Sequence, residues 1–109
     1  MLILTPTQRR ALKATSHALK PVVMIGEAGL SATVIKEIGV AITRHELIKI
    51  KVMNDDRELR EAMLQEMCTV LAAAPVQHIG KTLTIYRPNA EKAKVVNKPL
   101  PNKRAAQNR

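Results

Sequence analysis

The chain has 109 residues, with 18 Lys and Arg against 9 Asp and Glu, a formal charge of +9 and an isoelectric point near 10.2. That length leaves room for one core, and 46% hydrophobic residues is enough to fill it, which excludes two independent domains and disorder throughout. With no Phe, no Trp and one Tyr, the core must be aliphatic, and the aromatic platforms on which RRM sheets and OB-folds stack bases are excluded as well.

The first element is signalled by Thr5-Pro6-Thr7-Gln8. Thr caps the helix, Pro occupies the first position where its missing N–H costs nothing, and Gln closes a capping box. This helix is expected to run to about His17, with a thin apolar stripe of Ala11, Leu12, Thr15 and Leu19 and with Arg9, Arg10 and Lys13 exposed. Val22 to Ile25 is a continuous apolar run of the kind shown by a strand buried on both faces, and it reads as a central strand. After a glycine turn at 26–29, Val34, Ile35, Ile38, Ala41 and Ile42 recur at helical spacing, and Arg44 and His45 suit that helix's carboxyl end. Leu47 to Val52 alternates, placing Ile48, Ile50 and Val52 on one face and Lys49 and Lys51 on the other.

Asp55 with Glu58 is a capping pair for a third helix, whose expected stripe is Leu59, Ala62, Met63, Met67, Val70 and Leu71, with Arg57 supporting Glu61 and Pro75 lying beyond its end. Val76–Ile79 and Thr82–Tyr86, split by Gly80 and Lys81, read as a hairpin with Leu83 and Ile85 facing one way. The order α-β-α-β-α-β-β predicts a single α/β domain over 1–88, a mixed four-stranded sheet packed by helices. Residues 89–109, rich in Asn, Pro, Lys and Arg and without apolar period, read as a flexible basic tail, either without a role or adding phosphate contacts.

The surplus charge sits at the two ends: residues 1–20 carry +4 and residues 88–109 carry +5, while residues 21–80 carry −2. Excess Lys and Arg can serve solubility alone, but +9 with both termini basic points to a polyanionic partner. Cys68 is the only cysteine, so neither an intramolecular disulfide nor a thiolate metal knuckle is expected, and a reducing compartment fits. No leader core and no membrane-length apolar stretch is present in these residues, giving the expectation of a cytoplasmic protein without membrane partner.

Enzyme signatures are weak. His17, His45 and His78 are far apart and lack metal-ligand spacing, so no metal and no cofactor are expected, and all three read as surface or helix-end residues. Ser31 sits where a helix cap belongs, without a nucleophile elbow around it, and Gly80-Lys81-Thr82 lacks the upstream glycine of a phosphate-binding P-loop, Pro75 standing in its place. No catalytic residue is expected. Gly26-Glu27-Ala28-Gly29, between a strand and a helix, is different in kind. Paired glycines bring backbone close to a sugar-phosphate, the helix amino end beyond supplies N–H groups, and KH domains clamp four nucleotides with a GxxG loop.

Leu19-Lys20-Pro21-Val22-Val23-Met24-Ile25-Gly26, the GxxG loop with Leu30, His45-Glu46-Leu47-Ile48-Lys49-Ile50-Lys51, and Ile79-Gly80-Lys81-Thr82-Leu83-Thr84-Ile85-Tyr86-Arg87-Pro88 together resemble the CRM (chloroplast RNA splicing and ribosome maturation) domain in its stand-alone bacterial YhbY form, over about residues 5–88. The resemblance implies a fold similar to the carboxyl-terminal domain of translation initiation factor three. It also implies a non-catalytic, monomeric RNA-binding protein acting on precursors of the large ribosomal subunit. By position, Gly26, Glu27, Ala28 and Gly29 would form the RNA-binding loop, Glu27 placing a negative charge within it, and Lys20, Lys49, Lys51, Lys81 and Arg87 would contact phosphates. Gly29→Asp is expected to impair RNA binding with little loss of fold. A permanent ribosomal protein, or a small basic ribonuclease using Tyr86, Arg87 and a histidine, are the rival readings.

Overall fold

The computed structural model describes residues 1–89; from residue 90 onward, the expected tail lies outside the described residues. The elements are α1 (Pro6–Ser16), β1 (Pro21–Ile25), α2 (Ala32–His45), β2 (Leu47–Val52), α3 (Arg57–Leu71), β3 (Ala74–Ile79) and β4 (Thr82–Tyr86). The sheet order is β1-β2-β4-β3, with β1 parallel to β2 and the other pairings antiparallel. The mixed four-stranded sheet expected from the alternation of elements is therefore what forms.

The sequence's helix signals act as chemistry requires. Thr5 Oγ1 accepts from the Gln8 N–H at 3.1 Å while Gln8 Oε1 accepts from the Thr5 N–H at 2.9 Å, the reciprocal capping box. Ser31 caps α2 by accepting from the Val34 N–H. α3 differs from expectation: Asp56, not Asp55, is its cap, accepting from the N–H groups of Glu58 and Leu59. Asn54 Oδ1 in turn holds the Asp56 N–H, which sets the turn one residue later.

Alternation on β2 divides the interior into two clusters. On one face Ile48, Ile50 and Val52 join Ile25, Leu83 and Ile85 beneath Ile38 and Ile42 of α2 and Leu64, Met67 and Cys68 of α3. The buried line of α3 runs through Arg60, Leu64, Met67 and Cys68, whereas Leu59 and Val70, expected in the stripe, are 45% and 58% exposed. Ala62 is exposed as well, so the buried stripe is rotated around the helix from the one that Leu59 suggests. Burial pushes the Cys68 thiol up to about 12, so it is protonated and inert at neutral pH. On the opposite face Leu47, Ala74 and Val76 pack with Leu4 against Leu12 of α1, Leu19 of the connection to β1 and the half-buried Tyr86.

Other expectations fail for identifiable reasons. β1 is an outer strand, with Val22 and Met24 exposed, because an apolar run does not by itself distinguish a doubly covered strand from an edge. Pro75 does lie beyond the end of α3, but β3 begins at Ala74 rather than at the expected Val76, so the proline falls inside the strand, tolerated because β3 is the other edge and breaks register there. His78 is not a surface residue: its side chain is 5% exposed, bonded through Nδ1 to Glu61 at 2.8 Å, while Nε2 accepts from Arg60 Nε at 3.3 Å. Those partners fix the tautomer with hydrogen on Nδ1. Glu61 is hydrogen-bonded to His78 and Gln65, and the expected support from Arg57 reaches it through charge alone.

Candidate nucleic-acid interface

The glycine segment follows β1 directly. Gly29 donates its N–H to the Gly26 carbonyl at 3.1 Å, closing a tight turn, and Ser31 then begins α2. Gly29 has φ +78°, so a side chain there strains the backbone even though its Cβ would meet only Met63 Cε at 3.8 Å. Gly26 needs no positive φ, and a Cβ there meets nothing within 4 Å. The two glycines therefore differ: Gly29 makes the turn, and Gly26 leaves its flank open. Gly29→Asp would disturb the fold as well as any binding, contrary to the expectation that it leaves the fold intact.

Register places the lysines relative to this loop. Met24 lies beside Lys51, and Lys51 beside Thr82; Pro21 lies beside Lys49, and Lys49 beside Thr84. Lys51 is thus about 7 Å along the sheet from Gly26 and one strand spacing of about 5 Å across, with Lys49 about 7 Å further down. Both point to the face that α1 covers only in part, since the apolar residues under α1 are Leu47, Ala74, Val76 and Tyr86, toward the far end of the strands. Lys49 and Lys51 keep partial exposure, while Thr84, the neighbour of Lys49 on β4, is buried. α1 packs on this side of the sheet and its Arg10 and Lys13 are exposed; their signal was the +4 charge of residues 1–20, although no motif singles them out.

The remaining predicted positions are not gathered there. Lys20 is exposed at the opposite end of β1, about 20 Å of extended chain from Gly26. Lys81, in the β3–β4 turn, is near the loop end of the sheet, but its Nζ is 2.8 Å from Asp55 Oδ1. That hydrogen bond, with the ammonium charge, holds the Asp55 carboxyl below its ordinary range. Arg87 faces the other way. Its Nη1 donates to the Leu71 carbonyl at 2.8 Å and its Nη2 to Thr43 Oγ1 at 2.6 Å, tying the carboxyl ends of α3 and α2. Asn89 adds to that clasp through the Glu46 carboxylate and the Thr43 carbonyl. The loop end also carries Glu27, Asp55, Asp56 and Glu58, so positive potential belongs to the sheet face rather than to the loop.

The ribonuclease constellation is not assembled. Tyr86 packs in the cluster under α1, Arg87 is held at the helix ends, and His78 is buried between Arg60 and Glu61. Among the described residues no helix is long and apolar enough to cross a membrane.

An α1-topped, four-stranded mixed sheet with a GxxG turn leading from β1 into α2 defines a small α/β binding module. The chain belongs to the CRS1/YhbY (CRM) domain family, whose model matches residues 4–87. It is 43% identical over 91 residues to a Haemophilus influenzae protein named RNA-binding protein, covering 84% of this chain and 92% of that one. It is 38% identical over 102 residues to a protein of Pseudomonas aeruginosa named a probable RNA-binding protein, covering 94% and 89%. The solution structure of a Staphylococcus aureus hypothetical protein, provisionally described as RNA binding, superposes with a TM-score of 0.73 at 29% identity, covering 79% of this chain and 90% of that one.

Proposed function

We propose that this protein is a non-catalytic, cytoplasmic RNA-binding protein that engages ribosomal RNA during assembly of the large subunit. The observation that carries this reading is the pair Lys49 and Lys51, turned outward on the half-uncovered sheet face beside the GxxG turn. The naming of the relatives as RNA-binding proteins supports the choice of RNA among polyanions. In this mechanism the lysines supply affinity by releasing counterions, and the turn lets a phosphate approach main-chain N–H groups past the open flank of Gly26. Base stacking contributes little, because the one aromatic ring is packed under α1. Contacts to the backbone position a strand without reading its bases.

Gradient sedimentation of cell extracts tests the assembly role. The protein is expected on precursor particles of the large subunit and missing from mature ones; equal occupancy of mature ribosomes would instead make it a permanent ribosomal protein. Labelled ribosomal RNA incubated with the protein is expected to stay intact.

A further inference from the structure

Strand register lines up one row of side chains across the whole sheet at its loop end. Met24 of β1 lies beside Lys51 of β2, Lys51 beside Thr82 of β4, and Thr82 beside Ile79 of β3. Residues paired in this way project to the same face, which here is the open one, away from α2 and α3. Both ends of the row are apolar and accessible: Met24 and Ile79 are each 62% exposed. The rows below differ. Lys49 is followed by the buried Thr84 and by Gln77, and Leu47, Tyr86 and Ala74 lie under α1. The bare row is also the one nearest the glycine turn, since Met24 stands two residues before Gly26.

We infer that this row selects unpaired RNA: Met24 and Ile79 each cover the face of an unstacked base, while Lys51 between them holds the intervening phosphate. The inference rests on the RNA-binding reading above and adds to it the form of RNA that the open face accepts. Met24 and Ile79 are three strand spacings apart, about 14 Å, with Lys51 one spacing from Met24. That leaves room for a base on either side of the ammonium group. A base in an unpaired strand exposes an apolar face, which a flexible thioether or a branched aliphatic side chain covers. In an A-form duplex the base faces are stacked inside, and the surface consists of phosphates and ribose hydroxyls. A duplex satisfies Lys49 and Lys51 but leaves Met24 and Ile79 exposed or pressed against polar sugar, with no gain from burial. Charge thus sets affinity for either form, and the apolar pair supplies the difference between them. These side chains have no hydrogen-bonding group with which to read a base, so the preference is for unpaired strands of any sequence.

Fluorescence anisotropy with the full chain tests this, using one labelled RNA oligonucleotide free of self-complementarity, alone and annealed to its complement. The unaltered protein is expected to bind the single strand about tenfold more tightly than the duplex, the equivalent of about 55 Å² of apolar surface covered. Met24→Thr combined with Ile79→Thr keeps strand-forming side chains and the net charge. It should abolish the difference by weakening single-strand binding alone, with the urea midpoint and the salt dependence unchanged. Met24→Phe should widen the difference, since a ring offers a base a flat face. Val70→Thr, on α3 beyond the other face of the sheet, should leave it as it is. Equal binding of both RNA forms by the unaltered protein, or a preference that survives the double substitution, would overturn the inference while RNA binding itself stands. Binding of neither form would overturn the RNA reading and this inference with it. A dimer that the double substitution disperses in sedimentation velocity, with RNA preference unaltered, would give the row to a second copy of the chain and overturn the inference as well.

Discussion

The two faces of the sheet are written by the same strands yet do opposite work. On β2, Ile48, Ile50 and Val52 are nearly or wholly buried beneath α2 and α3, while Lys49 and Lys51, one residue away in each case, remain accessible on the face that α1 covers only at one end. A period of two makes this separation obligatory, since a shift of one residue would exchange the faces. The closed face holds the fold together; the open face can carry charge without cost to the core. Stability and binding should therefore respond to different substitutions.

The largest effect expected is on the closed face. Ile50→Ala should cost about 2–5 kcal/mol in urea unfolding, from lost burial and the cavity left behind. A cost below about 1 kcal/mol would mean the two faces are less distinct than their burial indicates. Next comes Arg87, whose guanidinium serves the helix ends behind the closed face rather than the open one. Arg87→Ala should remove about 1.5–3 kcal/mol, the range for hydrogen bonds to a charged group, with RNA affinity little changed. A large affinity loss with unchanged stability would return Arg87 to the interface.

The two glycines sharpen the same division on a smaller scale. Gly29→Ala should cost about 1–2 kcal/mol through its left-handed backbone, whereas Gly26→Ala should leave stability unchanged and isolate the loop's part in RNA binding. The smallest effect is at Glu61. The hydrogen bond from His78, followed by that from Gln65, holds its carboxyl below the ordinary value of 4.5. A depressed folded value contributes stability that is present above 4.5 and lost as pH falls through the folded value. Urea midpoints of Glu61→Gln should thus fall below those of the unaltered protein near neutral pH and converge with them in acid; a constant difference would contradict this origin.

Much of this division is legible in the residues themselves. The alternation of Leu47–Val52, the Thr5–Gln8 capping box and the Gly80-Lys81 turn are local signals, and each forms as read. What is not legible depends on distant partners. Val22–Ile25 looks central because local composition carries no strand order. Arg87 sits in a motif shared with the strand, but its bonds go to Thr43 and Leu71, which only the packing of α2 against α3 brings together. Lys81 reads as a free cation until the α3 turn places Asp55 beside it. The burial of His78 likewise depends on Arg60 and Glu61 arriving from α3.

The most direct test of the open face as the RNA-binding surface is the salt dependence of ribosomal RNA affinity for the unaltered protein and for Lys49→Ala combined with Lys51→Ala. If each lysine neutralises one phosphate, the slope of log affinity against log salt should become shallower by roughly 1.4–1.8 in the double variant, with its urea midpoint unchanged. An identical slope in both proteins would contradict the assignment.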